Sequence, residues 1–172
     1  MPDTEDLGRF NALAAQEAER ELLACCASRR WAREIAGGRP YGDLAALREA
    51  GVAAVRRLEW PDVAEALAAH PRIGATVTGR DRESSWSRGE QAGVAGADET
   101  VREALREGNR AYEERFGHVF LICASGRDAA TLLAALRDRL GNDADTERAV
   151  VRGELAEITG LRLGRLFGKE AR

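Results

Sequence analysis

Only one stretch of this 172-residue chain, Val119-Phe120-Leu121-Ile122-Cys123-Ala124, has the branched and aromatic run that favours a β-strand. No second strong strand candidate exists to pair with it. A lone strand cannot satisfy its backbone N–H and C=O groups. A sheet is therefore excluded, and the stretch reads as an extended, buried connector near residues 118–125. The rest of the chain has to fold as helices. Composition agrees: aromatics are 5%, and the 44% hydrophobic content is mainly Ala, Leu and Val. Ala, Leu, Glu and Arg are strong helix formers. The expectation is an all-α fold, a compact multi-helix bundle forming a single domain over residues 1–172. The length suits one core, and there is no internal repeat or long linker.

Helical period organises the remainder. A short apolar turn at Leu7, Phe10 and Leu13 precedes a helix expected near residues 16–26, carrying Leu22 and Leu23. Ser28 is placed to cap a helix with Trp31 and Ile35 that stops at Gly37-Gly38. Asp43 heads a helix with Leu44 and Leu47, reaching Val52, Val55 and Leu58 across a weak point at Gly51. Pro61 suits the first position of a helix with Val63 and Leu67. That helix must end by His70, because Pro71 disfavours helical geometry in the residue before it. Residues 71–84 read as a loop, and a short helix is expected to start near Ser87. A longer one follows, with Val101, Leu105, Tyr112 and Phe116 on one face. Asp128 is placed to cap a helix with Leu132, Leu133, Leu136 and Leu140, broken at Gly141-Asn142. A last helix is expected from about Thr146 to Phe167.

Charge and cysteine usage exclude several functions. Lys and Arg number 26 against 29 Asp and Glu, a net charge of -3. That leaves no basic field for a nucleic-acid backbone, so no such partner is expected. No run is apolar enough over sufficient length for a membrane span, and Asp3, Glu5, Asp6 and Arg9 do not suit a signal peptide. The terminal Gly168-Lys169-Glu170-Ala171-Arg172 is not a peroxisomal address of the Ser-Lys-Leu type. Cys25, Cys26 and Cys123 are odd in number and form no CxxC, so they read as core filler in a reduced, cytoplasmic protein.

Three features could carry chemistry, and each has a plain structural alternative. His70 sits at a helix C-terminus, locked by Pro71. There it either caps the last carbonyls or presents an imidazole whose cationic form the helix dipole favours, a proton donor near neutral pH. Ser87-Arg88-Gly89-Glu90-Gln91 has the spacing of a capping box. The same helix start could hold a substrate oxygen on its free amides, with Glu90 and Gln91 beside it. Arg162 falls in the apolar row Val151, Leu155, Ile158, Arg162 and Leu166 of the last helix. It either snorkels to solvent or meets a buried acid or anionic ligand. No metal site is expected from two distant histidines without HExxH or a Cys cluster. Phosphate-loop and nucleophile-elbow motifs are absent. His118, after Phe116-Gly117, reads as a turn or pocket-edge residue.

In order and spacing, the motifs of this chain resemble those of the 2-oxo-4-hydroxy-4-carboxy-5-ureidoimidazoline (OHCU) decarboxylases. They are Phe10-Asn11-Ala12-Leu13, Cys26 to Trp31, Arg39-Pro40 and His70-Pro71-Arg72-Ile73-Gly74. Then come Ser87-x-x-Glu90-Gln91-Ala92-Gly93, Asn109-x-x-Tyr112-x-x-Arg115-Phe116-Gly117, Val119 to Arg127 and Leu161-Arg162-Leu163. The resemblance implies an all-helical homodimer that makes (S)-allantoin from the urate-oxidation intermediate without a cofactor. It implies His70 as catalytic proton donor, Glu90 as its acidic partner and Arg162 as the arginine of the last helix. Pro71, Ser87, Glu90 and Gln91 fall at substrate-binding positions, together with the backbone of Val119, Phe120, Leu121, Ile122 and Cys123. One departure is His118-Val119, where many members have Phe-Pro. The alternatives are a non-catalytic helical interaction module and a related helical enzyme acting on another ureide.

Overall fold

The computed structural model describes residues 2–168; Lys169 to Arg172, part of the terminal segment considered above, lie outside them. The described residues form ten helices and no strand. They are α1 (Pro2–Ala12), α2 (Ala15–Leu22), α3 (Arg29–Gly37), α4 (Leu44–Arg56), α5 (Trp60–Leu67), α6 (Arg82–Glu90), α7 (Ala92–Ala95), α8 (Glu99–Phe116), α9 (Ala129–Arg139) and α10 (Ala144–Phe167). None is long and apolar enough to cross a membrane. The chain divides into two compact units. One comprises the residues up to Ala66 with those from Leu155 on, the other Leu67–Glu154.

In the first unit, α2 packs on α3 and α3 on α4. Ser28 Oγ accepts the Trp31 amide at 3.2 Å and Asp43 accepts that of Ala46 at 2.7 Å, so both expected caps are made. The buried side chains include Phe10, Leu22, Trp31, Leu47, Val55, Leu155 and Leu163. The Phe10 and Phe167 rings meet at 4.8 Å. Gly51 is not a weak point. Trp31 Nε1 donates to the Gly51 carbonyl at 2.9 Å, and a Cβ at Gly51 would lie 2.6 Å from Leu163 Cδ1. The missing side chain is what lets α4 come this close to its neighbours. Three boundaries also differ from expectation. Leu7 and Phe10 belong to a complete helix, α2 ends at Leu22 so that Cys25 and Cys26 follow it, and Pro61 is the second residue of α5.

The second unit is built on one apolar cluster that includes Ile73, Leu105, Tyr112, Phe120, Ile122, Leu132 and Leu136. Helices α8 and α9 pack together around it. Asp98 and Asp128 accept the Val101 and Thr131 amides at 3.0 and 2.8 Å. Gly117, at φ +77°, closes α8 in the left-handed conformation that glycine adopts most readily.

The largest correction concerns α6. Its N-cap is Asp81, whose Oδ1 accepts the Ser84 amide at 2.7 Å, not Ser87. Ser87 and Glu90 therefore form no capping box. The Ser87 carbonyl instead accepts the Gln91 amide at 3.1 Å inside the helix. The helix carries little apolar periodicity that could have marked its start. Asp81→Ala is expected to lower stability, read as a denaturation midpoint shifted down. An unchanged midpoint would mean that α6 begins elsewhere.

Candidate active site

His70 stands three residues beyond the end of α5, where its amide donates to the Leu67 carbonyl at 3.0 Å. It is half-buried, as is Pro71. The turn that follows is held from three sides. Gln91 Oε1 accepts the Gly74 amide at 2.9 Å, and Gln91 Nε2 donates to the Arg72 carbonyl at 3.4 Å. Asn109, buried on α8, donates to the Ile73 carbonyl at 2.8 Å. Arg72 pairs with Glu113 at 3.0 Å. Gly74 takes φ +87°, and Ile73 enters the apolar cluster. The backbone after His70 is thus fixed by side chains of α8 and by the residue joining α6 to α7.

Helix α6 turns two side chains into the interior, Ser87 at 5% exposure and Glu90 at 9%. Neither is apolar. A helix normally buries an apolar stripe, and burying a carboxylate is costly unless something binds it. Three residues apart, Ser87 and Glu90 share one helix face. The next residue, Gln91, ties this end of α6 to the turn after His70. Gly93, in α7, lets the backbone of residue 127 come close: a Cβ there would clash with the Arg127 carbonyl oxygen. Sequence motifs 70–74, 87–93 and 119–127 therefore meet within one unit. Cavities of about 530 and 300 Å³ lie along residues 72–77, lined in part by Asn109 and by Gln91 respectively, and neither has His70 in its wall.

The segment 119–124 is neither helix nor strand, and Phe120 to Ala124 are buried. It is anchored by charged side chains that the sequence reading missed. Arg139, 7% exposed, donates from Nη1 to the Leu121 carbonyl and from Nε to Glu147, both at 2.7 Å. Glu147 is fully buried and also accepts from Tyr112 Oη at 2.5 Å and Asn142 at 3.0 Å. Burial, then the hydrogen bond to Glu147, push the Tyr112 phenol well above its ordinary value. From α10, Glu154 accepts the Cys123 amide at 2.9 Å. A usable signal existed, since Arg139 follows Leu132 and Leu136 at helical spacing and Glu147 stands four residues before Val151.

Arg162 belongs to the first unit, where it is buried and donates to the Ala24 carbonyl at 3.1 Å. Nearby, burial pushes the Cys26 thiol up to about 11, the condition of an inert thiol rather than a nucleophile. All three cysteines are buried thiols. His118 packs edge-on against Tyr112 at 5.4 Å, with Nδ1 3.0 Å from the Val119 carbonyl oxygen.

The model of the family described as OHCU decarboxylase matches residues 11–164. The chain is 30% identical to a uric acid degradation bifunctional protein of Arabidopsis thaliana, over 93% of this chain and 50% of that protein. It thus spans about half the length of that relative. A putative OHCU decarboxylase of Homo sapiens is 30% identical, over 94% of this chain and 91% of that one. The crystal structure of an OHCU decarboxylase in the presence of (S)-allantoin is similar, with a TM-score of 0.74 and 29% identity. It covers 86% of this chain and 96% of that one.

Proposed function

The chain belongs to the OHCU decarboxylase family, and from that premise we propose that it converts 2-oxo-4-hydroxy-4-carboxy-5-ureidoimidazoline to (S)-allantoin in urate breakdown. The observation that carries the reading is α6, which buries a serine and a carboxylate next to the turn that follows His70. An interaction module has no need of such a face.

The substrate makes the reaction possible without an external electron sink. One ring carbon carries a carboxylate and a hydroxyl, and the neighbouring ring carbon is an imine bearing the ureido group. As carbon dioxide leaves, the electron pair of the broken C–C bond forms a double bond to the ureido-bearing carbon, and the imine pair moves onto the ring nitrogen, which takes up a proton from solvent, giving an enamine-enol. The hydroxyl then loses its proton to become the ring carbonyl, and the ureido-bearing carbon gains one from a single face. The protein has to deliver and remove protons with the ring fixed. In this reading His70 delivers the proton, and Glu90 contacts the hydroxyl and orients the imidazole. Pro71, Ser87, Gln91 and the backbone of Val119 to Cys123 hold the ring and ureido arm; for Arg162 the support is the family resemblance. Gln91 already spends one contact at each end of its amide on the turn at 72–74. Its two further hydrogen-bonding sites are what a substrate would use. The family resemblance further supports a homodimer, a cytoplasmic setting and one functional domain over 1–172.

Freshly generated urate-oxidation intermediate is expected to decay faster with the protein than without it. The product should be optically pure (S)-allantoin, followed by ultraviolet absorbance and circular dichroism, and a chelator should change neither. Racemic product at the blank rate would overturn the reading.

A further inference from the structure

The buried ionic cluster beside the connector has no part in the chemistry above, yet the connector is touched by charged side chains at two points. Arg139 donates to the Leu121 carbonyl at 2.7 Å, and its guanidinium carbon lies 4.5 Å from the Phe120 ring centroid. Glu154 accepts from the Cys123 amide at 2.9 Å. The side chains of Phe120, Ile122 and Ala124, every second residue, enter one apolar cluster, which is the period of an extended chain. In such a chain the C=O of one residue and the N–H two residues on share an edge. Leu121 C=O and Cys123 N–H are such a pair, and both are occupied from within the protein. The opposite edge carries Phe120 C=O and the N–H and C=O of Ile122.

We propose that Arg139 and Glu154 are positioning residues that grip the connector by one backbone edge and so present the other, at Phe120 and Ile122, to the ureido arm of the substrate. A ureido group carries N–H and C=O as a peptide does. That opposite edge can therefore pair with it as a strand pairs with its neighbour. The step rests on the reading above, in which the connector backbone lines the substrate site.

Glu154 is half-buried, so its removal spares the core. In Glu154→Ala, KM is expected to rise about tenfold, equivalent to ~1.4 kcal/mol, with kcat changed by less than about threefold. Glu154→Gln keeps an oxygen for the Cys123 N–H and is expected to recover most of the loss. Hydrogen exchange at the Cys123 amide should quicken in Glu154→Ala while amides of α8 and α9 stay as they were. Arg139→Lys keeps the charge beside Glu147 but loses the planar fork, and is expected to raise KM as well. If it does not fold, the two Glu154 variants decide. Unchanged KM in Glu154→Ala, with the wild-type protein active, overturns the positioning role alone, whatever the exchange rate. A wild-type protein inactive on the urate-oxidation intermediate overturns the function and this role together.

Discussion

His70→Ala is expected to lower kcat for the decarboxylation by about 10²- to 10⁴-fold, the range that a positioned general acid supplies. The helical circular dichroism should be unchanged. The two roles open to this histidine differ in which quantity they move. As a helix-end residue favoured by the dipole, His70 would contribute ~0.3–1 kcal/mol to stability, and its loss would leave turnover by the folded protein intact. As proton donor it governs turnover and the face of protonation, so the residual product should also lose optical purity. The site is prepared for the second role. The backbone after His70 is held by Gln91, Asn109 and the Arg72–Glu113 pair, so removing the imidazole leaves its frame standing. Initial rates at saturating substrate and the rotation of the product, measured on the same sample, separate the two. Full kcat with optically pure product in His70→Ala would remove the histidine from the reaction.

Much of this arrangement is legible from local signals. Ser28, Asp43 and Asp128 each accept the amide three residues on, as their positions before apolar periods indicate. The connector is legible by elimination, because one strand-like run in a helical chain has nothing to pair with. Legibility fails where a local signal has two meanings. Ser87 and Glu90 carry the spacing of a capping box and lie instead within the helix, on its buried face. The same i, i+3 relation that lets two side chains reach a helix end also places them together on one side of it. In α6 the true cap, Asp81, precedes a sequence so polar that no apolar stripe marks the boundary.

What the sequence withholds is contact at long range. Gln91 reads as a clamp for a ligand, and its attachment to residues 72–74 depends on how α6 meets that turn. A charge that continues an apolar row, the feature that singles out Arg162, also marks Arg139 in α9 and Glu147 at the start of α10.

Arg139→Met is expected to cost about 3–5 kcal/mol of stability, because it leaves the Glu147 carboxylate buried without its counter-charge. Exposure decides this magnitude. The Arg139 and Glu147 side chains are 8% and 0% exposed, whereas Arg9–Glu21 and Arg29–Glu65 have partners that are 53% and 79% exposed. Breaking either surface pair should cost less than about 1 kcal/mol. Glu147→Leu is also expected to destabilise, since it strands the guanidinium and removes the acceptor used by Tyr112 and Asn142. The double variant should lose less than the sum of the single ones, with a coupling of about 1–3 kcal/mol. It should not regain wild-type stability, because the Leu121 carbonyl and the Tyr112 hydroxyl remain buried without the partners they have now. Urea unfolding of the four proteins under one buffer condition measures the cycle. Single losses below about 1 kcal/mol that simply add would mean that water reaches the pair. The connector would then be held by packing and by Glu154 at the Cys123 amide, without help from the ion pair.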